Sequence, residues 1–234
     1  MKKVKLVAAL LFFAVFTLLA ADQDSLLQVY QNSTFDTARI DAASKLFMQT
    51  FRNNLPKAIS YNEFILKKSA DIDYLRGKMN GVYQKGILAY LKGDFPQAIQ
   101  HYGEAESYAS QLGNDPTRFT VMKANVYLVT GKLDTASQLF EAAIERFEAT
   151  EDYYNGMVAS NNLGVLYSNQ GNYKKALGVY QKAKDYATSI ADSSKMASFS
   201  VNIGNSYFDL GKNAEAIENL LVAVDITEKI RDYR

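Results

Sequence analysis

The sequence predicts an all-α solenoid of stacked antiparallel helix pairs. Three observations predict it. First, one phrase occurs four times: a glycine, an alanine five residues on, an aromatic or leucine nine on, and a second alanine twelve on. The four sets are Gly93/Ala98/Tyr102/Ala105, Gly131/Ala136/Phe140/Ala143, Gly171/Ala176/Tyr180/Ala183 and Gly211/Ala216/Leu220/Ala223. The glycines stand 38, 40 and 40 residues apart, a period that marks stacked repeats. Second, apolar residues between the glycines recur at spacings of three and four, the signature of one helix face. Third, the 234 residues contain only three prolines, so long stretches carry no helix breaker.

Residues 1–21 read as a secretory signal peptide. Lys2, Lys3 and Lys5 precede an apolar run over residues 6–21, broken only by Thr17, and Ala20-Ala21 offers small residues before the polar Asp22. The alternative is an uncleaved N-terminal anchor. The sixteen residues of this run would span about 24 Å as a helix, short of the ~30 Å hydrocarbon core. Either way the remainder is expected outside the cytoplasm, periplasmic or extracellular, with any cleavage near Ala20–Asp22. Residues 22–38 form a polar lead-in, with a short helix expected around residues 25–31.

From residue 39 to 234 the chain reads as a repeat array. Its divisions are a degenerate repeat at 39–76, repeats at 77–114, 115–152, 153–192 and 193–231, and the start of a further one at 232–234. The degenerate unit has Asn53 where glycine is expected, 40 before Gly93, and Ala58 five later. Atypical end repeats are usual, since an end repeat has one neighbour only.

Within each repeat, the first helix ends at the glycine, which tolerates the left-handed conformation that closes a helix. Leu163, Gly164 and Tyr167 lie eight, seven and four residues before Gly171 and share a face. Ile203, Gly204 and Tyr207 do the same before Gly211. The second helix packs through its two alanines and the aromatic between them. Asp152, Asp192 and Asp232 are each 40 apart and read as helix N-caps, Asp232 opening another first helix.

Composition excludes several function classes. The net charge is +1, and removing the three leader lysines leaves −2 from Asp22 onward, too little positive charge for nucleic acid. There is no cysteine, hence no disulfide framework, thiolate metal ligand, cysteine nucleophile or lipid-modified cysteine. The single histidine, His101, is expected to face solvent, so a histidine-based catalytic triad has no frame. Glu148, Glu151 and Asp152 cluster at a helix turn and read as a solvated cap. No phosphate-binding glycine loop occurs. The expectation is a protein that is not an enzyme, with no cofactor and no metal.

The run Leu163-Gly164-x-x-Tyr167-x-x-x-Gly171-x-Tyr173-x-x-Ala176-x-x-x-Tyr180-x-x-Ala183 resembles the tetratricopeptide repeat (TPR), and the resemblance extends over about residues 39–234. It departs in three respects. The tryptophan typical of the first helix is replaced by Val82, Thr120, Ser160 and Ser200, the proline after the second helix is missing, and the period is 40 rather than about 34 residues. The resemblance implies a right-handed superhelix whose first helices line a concave groove that takes a protein or an extended peptide. The groove positions it implies are Asn80, Tyr83, Gln84 and Tyr90, then Arg118 and Asn125, then Asn161, Asn162 and Asn169, then Asn202, Asn205 and Phe208. Asn162 and Asn202 are equivalent, 40 apart, and resemble the asparagine ladder of long-repeat TPR proteins that grip peptide backbones. The alternative is that these amides tie one repeat to the next or meet only water. A carboxylate clamp is disfavoured, because Arg118 is the lone basic groove residue.

The opening Asp24-Ser25-Leu26-Leu27 after a signal peptide, followed by 40-residue repeats, is similar to the extracytoplasmic TPR sensor region of bacterial membrane signalling proteins. In these, the repeats precede a transmembrane helix and a cytoplasmic output module. The resemblance implies a sensor or scaffold part of such a protein, with ligand binding altering repeat stacking. The alternative is a free periplasmic or secreted scaffold for a protein complex, whose membrane attachment would come only from an uncleaved leader or a missing C-terminal segment.

Overall fold

The computed structural model describes residues 23–232. The signal-peptide reading of residues 1–21 and the last two residues lie outside that range. Within it every regular element is an α-helix. Helix α1 covers residues 23–32, longer than the expected 25–31. It is followed by α2 (Asp36–Thr50), α3 (Leu55–Asp71), α4 (Leu75–Leu91), α5 (Phe95–Gln111), α6 (Thr117–Val129), α7 (Leu133–Ala149), α8 (Tyr153–Asn169), α9 (Tyr173–Ser189), α10 (Ser193–Asp209) and α11 (Asn213–Asp232). The helices form two compact units that divide after Pro116. Consecutive helices pack as neighbours: α2 to α5 in the first unit, α6 to α11 in the second.

The repeated phrase has a physical cause at each position. The four glycines sit at φ between +71° and +77°, directly after the first helices. Their N–H groups donate to carbonyls near the helix end, as from Gly171 to Ser168 at 2.9 Å. The two alanines of each second helix are buried, Ala136, Ala176 and Ala183 at 0 % exposure. The residue seven before each glycine is small because the large residue nine after it lies against its backbone. A Cβ at Gly86 would come within 2.5 Å of the Tyr102 ring, and one at Gly164 equally close to the Tyr180 ring. At the same position of the second repeat, Ala124 shares a core with Phe140.

A second series of left-handed residues closes the second helices: Asp73, Gly113, Glu151 and Ala191. Three of them are not glycine, with φ of +51°, +55° and +54°. The Asp after Glu151 and the Asp after Ala191 then cap the next first helix. Asp152 Oδ1 accepts from the Asn155 N–H at 3.2 Å and Asp192 Oδ1 from the Lys195 N–H at 2.9 Å. Asp94 and Asn172 cap second helices in the same way.

Three places depart from the regular pattern. Asn53 is not left-handed. Helix α2 ends without a positive-φ residue, and the side chain of Asn54 caps α3 instead. Helix α11 reaches Asp232, the last described residue, as one 20-residue helix with no left-handed residue before that aspartate, and residues 233–234 of the expected further repeat lie outside the described range. The 38-residue spacing between Gly93 and Gly131 reflects a first helix of 13 residues, α6, against 17 in α4, α8 and α10, with a longer turn before it.

Candidate functional site

In the first unit, α4 carries Asn80, Tyr83, Gln84 and Tyr90. Gln84 is corrected from a groove residue to a core residue, at 1 % exposure. Its Nε2 donates to Ser44 Oγ at 2.8 Å and to the Ser44 carbonyl at 3.3 Å, while its Oε1 accepts from Asn62 Nδ2 at 3.4 Å. Asn62 also donates to the Gly81 carbonyl at 2.8 Å. A buried amide must satisfy its donors inside the protein, so Gln84 fastens α4 to α2 and α3 rather than meeting a ligand. Tyr83 and Tyr90 are half-buried in ring contacts, Tyr83 with Tyr102 at 6.1 Å and Tyr90 edge-on to Phe95 at 5.8 Å. Asn80 is half-buried.

In the second unit the predicted residues lie on α6, α8 and α10. Arg118 is exposed, its guanidinium 4.5 Å from the Phe119 ring. Asn162 Nδ2 donates to Asn125 Oδ1 at 2.9 Å, and Asn161 Nδ2 approaches Asn162 Oδ1 at 3.4 Å. These three amides therefore form a chain from α8 to α6, the repeat-to-repeat tie that was the alternative to peptide gripping.

One repeat on, the pattern changes. Asn202 stands 40 residues after Asn162, but the residue 40 after Asn125 is Val165, which offers no polar atom. The Asn202 side chain makes no hydrogen bond among the described residues. Around this position the first-helix face carries exposed Asn169 and Asn205 together with exposed apolar groups: Val165 at 37 %, Val201 at 38 % and Phe208 at 66 %. The second unit thus combines uncommitted amide groups with uncovered apolar surface on α8 and α10.

Two features were missed from the sequence. Ser44 and Asn62 complete the Gln84 network, and Ser44 could have been found as the residue 40 before Gln84. Tyr167 donates from its hydroxyl to Glu141 Oε1 at 2.5 Å, joining α8 to α7. Burial, and secondarily this bond to a carboxylate, push the Tyr167 phenol up to about 12.

The groups weighed for chemistry have structural employment. His101 is not solvent-facing: it is buried, at 6 % exposure, with Nδ1 3.5 Å from Glu104 Oε2. It sits three residues after Ala98 and next to Tyr102, on the packed side of α5. Glu148 pairs with Lys182 at 2.6 Å and Asp152 caps α8. No group of three or more His, Cys, Asp or Glu residues able to hold a metal ion occurs among the described residues.

With that geometry in view, the class of protein follows. The described helices form stacked pairs of the TPR-like kind. Residues 117–189 and 197–230 match models of the tetratricopeptide repeat. Regulatory protein RapG of Bacillus subtilis (strain 168) is 30% identical over 71 residues, which are 30% of this chain and 20% of RapG. The chain thus aligns with about a fifth of that relative's length.

Among solved structures, BtubC from P. vanneervenii superposes with a TM-score of 0.72 at 17% identity, covering 92% of this chain and 90% of that one. The apo quorum sensor NprR from B. thuringiensis gives 0.61 at 18% identity, over 91% and 66%. A signal transduction ATPase with a tetratricopeptide repeat sensor from Pyrococcus horikoshii gives 0.66 at 16% identity, over 82% and 31%. At these identities the fold is what is shared.

Proposed function

We propose that this chain is an exported, non-enzymatic TPR module that takes up an extended peptide or protein segment on the first helices of its second unit. The observation that carries the reading is the side chain of Asn202, which lacks the partner its equivalent Asn162 has. An amide offering both donor and acceptor, beside exposed Val165, Val201 and Phe208, suits a peptide backbone with apolar side chains. The basic leader with its apolar run supports export. The likeness to a quorum sensor and to a tetratricopeptide repeat sensor supports a sensing role within a bacterial signalling protein. The competing role is a free scaffold in a protein complex.

Selection from a displayed peptide library on the purified chain tests the binding. Asn202→Ala should weaken selected peptides about 3- to 10-fold, the worth of one lost hydrogen bond, while Asn162→Ala should weaken them less. Unchanged affinity in Asn202→Ala, with helicity intact, would remove this face as the site. Fusion to an enzyme active only outside the cytoplasm tests export. A stable stoichiometric complex recovered without membrane attachment would select the scaffold role.

A further inference from the structure

Polar side-chain ties join the repeat of α6 and α7 to the repeat of α8 and α9. Asn162 on α8 donates to Asn125 on α6 at 2.9 Å. Tyr167 on α8 donates to Glu141 on α7 at 2.5 Å. Lys182 on α9 pairs with Glu148 on α7 at 2.6 Å, an exposed pair that adds least. All six positions recur 40 residues later, so the next seam, between α8–α9 and α10–α11, can be compared position by position.

There each tie has lost a member. Val165 takes the place of Asn125, so Asn202 has no acceptor at that position. Thr188 and Val222 take the places of Glu148 and Lys182. Tyr207 recurs in the place of Tyr167, but Gln181, in the place of Glu141, bonds Asp185 on its own helix at 3.0 Å. Among the described residues no side-chain hydrogen bond or ion pair crosses this seam. What holds it is apolar: Ile203 shares a core with Tyr180, and Phe199 with Tyr186 and Ala187. Apolar contact is non-directional, whereas a hydrogen bond fixes the geometry of both partners. The seam is closed but not fastened.

We infer that a bound peptide supplies the missing tie, so that occupancy fastens α10–α11 to α8–α9; this rests on the peptide-binding reading of the same face. The peptide backbone bonds the Asn202 amide on α10 while apolar peptide side chains cover Val165 on α8 and Val201 on α10, 37 % and 38 % exposed. One ligand thereby holds both sides of the seam. Without it the α10–α11 pair opens locally, at a lower free energy than the tied helices before it. The ligand shifts that equilibrium because only the closed seam presents both sides at once. Binding is thus read out as the stacking of one particular helix pair.

Amide hydrogen exchange on the purified chain, with and without a library-selected peptide, tests this. The amides of α10 should exchange about 10-fold faster than those of α8, a first helix of equal length, the worth of two absent hydrogen bonds. Saturating peptide should remove most of that difference. Val165→Asn restores the Asn125 position beside Asn202. It should slow α10 exchange about 3- to 10-fold without peptide and weaken peptide binding by a similar factor, because Asn202 is then engaged. Val165→Ala should weaken binding without slowing exchange. Equal protection of α8 and α10 in the free chain overturns the inference. So does a peptide that is weakened by Asn202→Ala, hence bound at this face, yet leaves α10 exchange unchanged. A peptide indifferent to Asn202→Ala removes the binding reading itself, and the ligand's part in the seam with it.

Discussion

Asn162 and Asn125 face each other across adjacent first helices with Nδ2 and Oδ1 2.9 Å apart. A double-mutant cycle on the two should give a coupling energy of about 0.5–1.5 kcal/mol, measured by urea unfolding. Asn202→Ala, which breaks no such bond, should change stability by less than about 0.5 kcal/mol. Equal losses at 162 and 202 would mean that Asn202 is tied as well.

Gln84 makes the sharper case in the first unit. Gln84→Ala removes a fully buried amide and strips Ser44 and Asn62 of a partner. We expect a loss of about 2–3 kcal/mol by urea unfolding. The neighbouring Asn80→Ala should cost well under 1 kcal/mol. A small effect at Gln84 would contradict its place in the core.

The helix glycines divide by what stands over them. Alanine gains about 1 kcal/mol over glycine in a helix interior. At Gly178 a Cβ would meet nothing within 4 Å, so Gly178→Ala should raise thermal stability. At Gly164 the Cβ would press on the buried Tyr180 ring, and overpacking of about 1–3 kcal/mol should outweigh the gain. Gly204→Ala should fall between them, because the atom it meets at 2.9 Å belongs to Leu220, a partly exposed and flexible side chain. Melting temperatures of the three variants check the order.

Alkaline pH should unfold the protein progressively. The phenols of Tyr102, Tyr167, Tyr180 and Tyr186 are all held above their ordinary value of 10, chiefly by burial. A group that binds its proton more tightly when folded contributes stability below its unfolded pKa, and that contribution is lost as pH rises through the folded one. For Tyr167 the window runs from about 10 to about 12. Urea midpoints should therefore fall across that range, and less steeply in Tyr167→Phe. A parallel fall in the variant would show that Tyr167 carries none of it.

The architecture was legible because its cause is local. A glycine after a helix, alanines at helical spacing and an aromatic between them each announce their own environment, and the period repeats the announcement. The candidate face was legible only as a set of positions. Gln84, Asn162 and Asn202 all stand nine residues before their glycines, yet one is buried, one is tied and one is uncommitted. What separates them is the residue on the preceding first helix: Ser44, Asn125 or Val165. His101 misled because its neighbour Tyr102 was read as packed while its own place on the same side of α5 was not. The turns at Glu151 and Ala191 were invisible because glutamate and alanine do not signal a left-handed backbone, and an aspartate such as Asp73 signals it only weakly.

Those turns also bear on how such a chain can lengthen or shorten. Glu151-Asp152 and Ala191-Asp192 are the same junction twice: a left-handed residue, then an aspartate that starts the next helix. Excising residues 152–191 would join Glu151 directly to Asp192 and rebuild that junction without a seam. The chain is thus divisible at matched splice points, and whole forty-residue blocks can be gained or lost with each surviving turn keeping its own chemistry.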